Sequence, residues 1–251
     1  MHTVHLGIGQ DLCGSLLAEL LLLSEEQAPG MPADKILRSL WMDFCTWCSN
    51  NKIKRPSKPF SVRLIGWGKS RQAYAILSNG VKAAQVKILI SWLAKAVQEM
   101  PGQNAWRFRL RAVCAWGLAK FLHVCDNASF FFSDEECDSM SHAANCFLMC
   151  YQQLAVDSLA ANKKMYKCRP KHHYFDELWR AAKSNKKNPR HHHCFMDEDY
   201  VGRISKLGKN THRGQVALRT LQRYSLYMKS LWHKRRSNKR LRQCSTNSVR
   251  R

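Results

Sequence analysis

Apolar side chains recur at three- and four-residue intervals through most of the first 161 residues, a period that predicts helices. Residues 10–24 (QDLCGSLLAELLLLS) read as a buried helix, closed by the polar segment EEQAPGMPAD. The next helix starts near Asp34, whose carboxylate is placed to cap first-turn amides. Its apolar face is Ile36, Leu37, Leu40, Trp41, Phe44, Trp47 and Cys48, and Pro56 and Pro59 lie in the breaker that follows. Residues 60–65 (FSVRLI) alternate and read as a short strand. Three longer helices are predicted next. Residues 81–99 carry Ala84, Ile88, Trp92 and Leu93; residues 105–124 carry Trp106, Leu110, Val113, Trp116 and Phe121. Residues 133–161 open on SDEE, a capping box of Ser133 and Glu136, with Met140, Ala143, Phe147, Cys150 and Leu154 facing inward. The Trp, Met and Cys on these faces read as core.

Past Lys163 the pattern weakens. Residues 174–183 predict a helix with Phe175, Leu178, Trp179 and Ala182 on one face, and SNKKNPR reads as a turn. Residues 191–195 (HHHCF) read as a short strand, with a helix starting at Asp197 and stopping at Gly208. A last helix covers about 214–232, and HKRRSNKRLRQCSTNSVRR has no core-forming pattern. The expected organisation is therefore an N-terminal helical segment with a short strand (1–79), a helical bundle (80–161), a basic segment bearing carboxylates (162–232) and a disordered basic tail (233–251). The fold class expected is mainly α: a helical bundle with a few short strands.

Charge sharpens this division. Of the net +23, residues 1–160 supply little, with 16 Lys/Arg against 13 Asp/Glu, whereas residues 161–251 hold 25 against 5. Clustered cations gain affinity for a polyanion by releasing its condensed counterions, so nucleic acid is the expected partner, DNA foremost. Lys163, Lys164, Lys167, Arg169 and Lys171 form one basic run, Arg190 follows, and Lys234, Arg235, Arg236, Lys239, Arg240 and Arg242 form another. The second resembles a nuclear-localisation signal, and a nuclear location is expected with it. Contacts from such residues go to phosphates and carry no base readout.

The 11 cysteines are odd in number and no Lys/Arg-rich leader precedes the first helix, so free thiols in a reducing, intracellular compartment are expected. The apolar run from Leu16 to Leu23 is too short for a membrane span, and no membrane association is expected. Cys45-x-x-Cys48 has no second pair at zinc spacing and continues an apolar face. His191-His192-His193-Cys194 carries metal-binding residue types, with His193, Cys194 and His172 the set considered. Neighbours along a strand point to opposite faces, however, which argues against convergence on one ion. Of His172 and His173, one is expected to face the core and the other the surface.

Asp197-Glu198-Asp199 complements a helix N-terminus. In a basic neighbourhood such carboxylates also suit Mg²⁺ held against phosphate oxygens. Segments of the chain resemble the later part of an RNase H-like (DDE) cut-and-paste transposase, closest in style to the CACTA-like group. The residues concerned are Met1-His2-Thr3-Val4-His5-Leu6-Gly7, Gln10-Asp11-Leu12-Cys13-Gly14-Ser15-Leu16-Leu17, Pro170-Lys171-His172-His173 and the Asp197–Asp199 run. The resemblance implies an incomplete RNase H-like fold with a helical insertion, and Glu198 as the equivalent of the third metal-holding catalytic acid. It also places the first two acids upstream of Met1, implying a truncated protein without autonomous strand cleavage or transfer. Two alternatives are a helical nucleic-acid-binding or interaction protein unrelated to transposases, and a nuclease whose site is completed by Asp126 or Asp134.

Overall fold

A helix whose leucines point in every direction must be covered on every side, and α1 (Gly9–Gln27) is buried from Gly9 through Leu21. In this computed structural model the described residues are 3–54, 58–67, 71–78, 80–100, 104–192, 204–209, 211, 213–230 and 232. The chain divides into two units, residues 1–193 and 194–251.

In the first unit a π-helical turn, Val4–Ile8, runs directly into α1. There follow α2 (Ala33–Asn50), α3 (Ala83–Glu99), α4 (Ala105–Asn127), α5 (Asp134–Ala160) and α6 (Pro170–Asn185), with a 3-10 turn at Pro189–His192. By length and apolarity Val4–Gln27 passes as a membrane span, but 83% of its most apolar window is enclosed within the fold, where it packs against α2, α3 and α4. The capping box at the start of α5 forms as expected: Ser133 Oγ accepts from Glu136 N–H, and Glu136 accepts from Ser133 N–H at 2.8 Å. The α4–α5 hairpin is the most extensive helix pair. Its closest approach is at Gly117, where an added Cβ would lie 2.7 Å from Ala143 O and 2.9 Å from Phe147 N. Phe121, Phe147 and Phe175 then join α4, α5 and α6 edge to face, with centroids 4.9 and 5.6 Å apart. A second aromatic group, Trp41, Phe44, Phe60 and Trp92, binds α2 to α3 through the 60s segment.

The mainly α expectation holds, but no described residue belongs to a β-strand; only an isolated antiparallel bridge, Phe131–Lys187, occurs. The strand expected over 60–65 is instead a series of turns. Ser61 O accepts from Leu64 and Ile65 N–H, Ser61 Oγ also receives Leu64 N–H, and Asp34 Oδ1 takes Val62 N–H at 3.1 Å. Local acceptors captured the amides that a ladder would have used. The same bond corrects the expected role of Asp34, since α2 has Pro32 at its N-cap and no side-chain cap. The strand expected over 191–195 fails at its first two residues, which close the 3-10 turn; residues 193–195 lie outside the described residues. On α4, Trp106, Val113 and Trp116 were expected inside but are 61%, 38% and 38% exposed. The inward stripe there is Leu110, Cys114, Leu118 and Phe121.

In the second unit residues 204–208 and 216–230 are helical, with a 3-10 turn at Arg213–Gln215. Arg223 ties these pieces together by donating to Leu207 O (2.8 Å) and Thr211 Oγ1 (3.1 Å). The expected apolar face of the last helix is largely uncovered: Leu218, Leu221 and Leu226 are each more than half exposed.

The approach at Gly117 leads to a stability prediction. In Gly117→Ala the new methyl meets the α5 backbone rather than a movable side-chain tip. It should cost about 1–3 kcal/mol, read as a lower urea midpoint at unchanged slope.

Candidate functional site

Three polar residues lie four apart on the buried helix α1: Asp11, Ser15 and Glu19, each at most 3% exposed. That spacing stacks them on one face. Buried polar groups need partners, and each finds its own far along the chain. Glu19 is held by Arg107 and, at 3.4 Å, by Arg111 Nη1, both on α4. Arg107 also donates to Ser158 Oγ at 3.0 Å, and Arg111 to Met100 O. Beside them opens a cleft of about 290 Å³ lined by Leu22, Glu26, Phe108, Lys163 and Met165 among others.

Ser15 Oγ accepts from Tyr166 N–H at 2.8 Å and donates to Ala75 O at 3.4 Å. Tyr166 is 1% exposed with φ 53°, a left-handed conformation that is uncommon for a bulky residue and is maintained only by its surroundings. Ala75 N–H donates in turn to Lys164 O (3.0 Å), and Tyr151 Oη donates to Lys167 O (3.1 Å). The basic segment 163–169 is thus pinned at successive backbone positions while Lys163 is exposed and Lys164 and Lys167 are half-buried. Lys164 and Lys167 place their Nζ atoms 5.9 and 5.4 Å from the Tyr74 ring centroid.

Asp11 receives Arg169 Nη2 at 2.5 Å, and its second oxygen accepts no hydrogen bond among the described residues. Burial pushes this carboxyl up to about 6, against the opposing pull of Arg169, Lys171 and Lys167. Desolvation therefore outweighs the ion pair. Arg169 is the N-cap of α6 and Pro170 opens the helix. Arg169 N–H donates to His172 Nδ1 at 3.2 Å, so the imidazole does what a Glu or Gln does in a capping box. An accepting Nδ1 belongs to a neutral ring, and burial holds His172 down at about 4, against the opposing pull of a hydrogen bond to the Arg169 backbone. His173, exposed, pairs with Glu177 at 3.2 Å. The two histidines divide between core and surface as expected. Lys171 Nζ donates to Leu6 O at 3.1 Å, a carbonyl in the π-turn where Leu6 leaves helical geometry (φ −95°, ψ 15°). Gly7 makes room for it, since a Cβ there would come within 2.5 Å of Lys171 Cδ.

The fold therefore brings residues of the stretches 1–7 and 10–17 against the basic run 163–171 and the start of 170–173. Of the other expected site residues, Arg190 turns inward and donates to Asp126 O, with its Nε 3.5 Å from the Asp126 carboxylate. Asp126 also pairs with Lys87, and Asp134 with Lys186 at 2.6 Å. Glu198, His193, Cys194, Lys234, Arg235, Arg236, Lys239, Arg240 and Arg242 lie outside the described residues. Cys45 and Cys48 are buried in the face of α2. Among the described residues no three His, Cys, Asp or Glu side chains converge as a metal site.

Chemically, this region offers cations in excess of its carboxylates, although Lys167 and Lys171 feel Asp11 electrostatically. Among the described residues Lys163, Lys164, Lys167 and Lys171 have no carboxylate within 4 Å. Asp11, the carboxylate at the junction, is already held by an arginine. From the sequence alone, Asp11 and Ser15 figured only within a resemblance and Glu19 had no role. Their four-residue spacing was the missed signal. Compared with family models, curated proteins and solved structures, the chain matches none.

The two shifted groups act oppositely on stability. Asp11 binds its proton more tightly when folded, so its contribution falls as pH rises from about 4 to about 6. His172 binds its proton less tightly when folded, so its contribution rises from about pH 4 to the ordinary histidine range. Relative to the unmodified chain, Asp11→Asn should make unfolding free energy climb more steeply with pH over that window. His172→Gln should make it climb less steeply. Urea unfolding at half-unit pH steps checks both.

Proposed function

We propose that this chain is of transposase descent, does not cut DNA on its own, and binds nucleic acid non-specifically through its basic C-terminal third. The observation that carries the binding is the pinned segment 163–167 with Lys163, Lys164 and Lys167 at its surface. Held by Ser15, Ala75 and Tyr151, it presents cations on a fixed backbone instead of a freely moving one. Fixed cations lose less conformational entropy on meeting phosphate. The lysines and arginines of 233–251 add to the same electrostatic attraction, and the partner is DNA, met along its phosphates.

The contact of Lys171, within Pro170–His173, with Leu6, within Met1–Gly7, supports the descent, since these stretches carry the resemblance. In this reading the helices between them are the family's insertion, and the unit around them is an incomplete RNase H-like domain. Glu198 is then a lone catalytic acid that holds Mg²⁺ too weakly for strand transfer. A second reading, a helical nucleic-acid-binding protein of other ancestry, is favoured by the absence of strands among the described residues. Both readings share the lysine surface.

Fluorescence anisotropy on short duplex and single-stranded DNA across a salt series tests the binding. Affinity should fall steeply with salt. The triple variant Lys163→Ala, Lys164→Ala, Lys167→Ala should bind more weakly, with a log–log slope shallower by roughly two to three, at ~0.9 for each phosphate that is no longer neutralised. Salt-indifferent binding, or an unchanged slope in the variant, would contradict the loop's role. Incubation with labelled DNA and Mg²⁺ or Mn²⁺ should give no cleavage. Cleavage abolished by Glu198→Gln would instead make the chain a nuclease.

A further inference from the structure

The outer face of the α4–α5 hairpin is unlike the rest of this cationic protein. On α5 residues 139–156 contain no Asp, Glu, Lys or Arg, and on α4 residues 112–119 contain none either. Exposed positions in these windows are instead apolar or neutral: Val113 and Trp116 on α4, and His142, Asn145, Met149 and Val156 on α5. His142, Cys146 and Met149 follow helical spacing along one stripe, and Trp116 lies edge-on to the His142 ring, centroids 6.1 Å apart. One turn of helix brings His142 Nε2 to 3.6 Å from Cys146 Sγ. Zinc bonds of ~2.3 Å to sulfur and ~2.0–2.1 Å to nitrogen, at a tetrahedral angle, place their two donors about 3.5–3.6 Å apart.

We propose that His142 and Cys146 are one half of a tetrahedral zinc site, completed by the same pair from a second copy of this chain. One chain offers only two donors there, consistent with no group of three among its described residues. A two-fold axis through the metal supplies the other two and closes an isologous interface. Each Cys146 releases its thiol proton to solvent and donates the freed electron pair, and each imidazole donates from Nε2. Two thiolates balance the charge of Zn²⁺, so the centre of the interface is neutral. Charge decides the occupant. Two copies at +23 repel each other at most approaches, and contact along a charge-free face avoids the worst of it. Trp116, Val113 and Met149 then form the dry rim around the metal. The proposal does not depend on the nucleic-acid reading.

The test uses the full chain without an affinity tag, kept reduced with a phosphine. Sedimentation velocity should show a monomer in EDTA and a dimer on adding zinc. Cobalt in place of zinc should give thiolate charge-transfer absorption and intense tetrahedral d–d bands. Cys146→Ser and His142→Ala, both at solvent-accessible positions, should keep the helical circular dichroism, lose the dimer and lose that spectrum. Their loss of half a metal equivalent per chain separates this site from any metal held at 191–194. Cys150→Ser, one turn further on, should retain dimer and spectrum. A chain that stays monomeric with zinc, a dimer that survives EDTA, or variants with an unchanged cobalt spectrum would each overturn the proposal. The zinc–EDTA comparison needs no variant to fold.

Discussion

A buried helix that carries charge constrains everything packed around it. Covering α1 with hydrocarbon alone would strand Asp11, Ser15 and Glu19 without partners, at a cost of several kcal/mol for each ion. The fold is therefore organised around one helix's requirements. α4 must bring two arginines to Glu19, the 75 and 166 segments must meet at Ser15, and α6 must begin where Arg169 reaches Asp11. The aromatic contacts among Phe121, Phe147 and Phe175 supply cohesion but tolerate several packings. The polar stripe selects among them, because a shift of one turn in α4 or α6 would leave a carboxylate unpaired.

Arginine and lysine divide the work. Arg107, Arg111 and Arg169 point into the protein and the half-exposed Arg190 folds back onto Asp126, each bonded to a carboxylate, a carbonyl or both. The lysines of 163–167 stay at the surface. A guanidinium is weakly hydrated and presents a planar fork of donors, which suits it to buried partners. An ammonium holds its water strongly and remains outside. The number of basic residues thus overstates what is free to meet a polyanion in the first unit, because part of it is consumed in internal pairs. This division gives the lysine loop its place in the proposed function and takes Arg190 out of any simple surface tally.

Helix positions were legible because they rest on periodicity. Five of the six helices of the first unit lie within a few residues of expectation, and the Ser133–Glu136 box fell where its motif indicated. The α6 helix began earlier than expected, at Pro170, because Arg169 and His172 together make a cap that the usual residue list omits. The strand over 60–65 was misread because alternation over six residues does not say where amides will bond, and Ser61 and, from α2, Asp34 took them. Trp106, Val113 and Trp116 were assigned to the core on size and spacing, but α4 has apolar residues around most of its circumference, so periodicity could not choose the face. At the site, the cations were plain from composition. Which were free depended on long-range pairing that no local pattern encodes.

The bonds that close α1 join residues 151, 158 and 165 positions apart. That separation has a temporal meaning during synthesis. At ~5–20 residues per second, the α1 stripe leaves the ribosome on the order of ten seconds before the segment that answers Asp11 and Ser15. Over that interval Asp11 and Ser15 stay uncompensated on a leucine-rich helix, which α2, α3 and α4 cover as they emerge. Its closing seam spans those long separations and can form only once that segment has emerged. Until residue 171 has emerged, the nascent chain therefore carries this helix with its polar stripe only half answered.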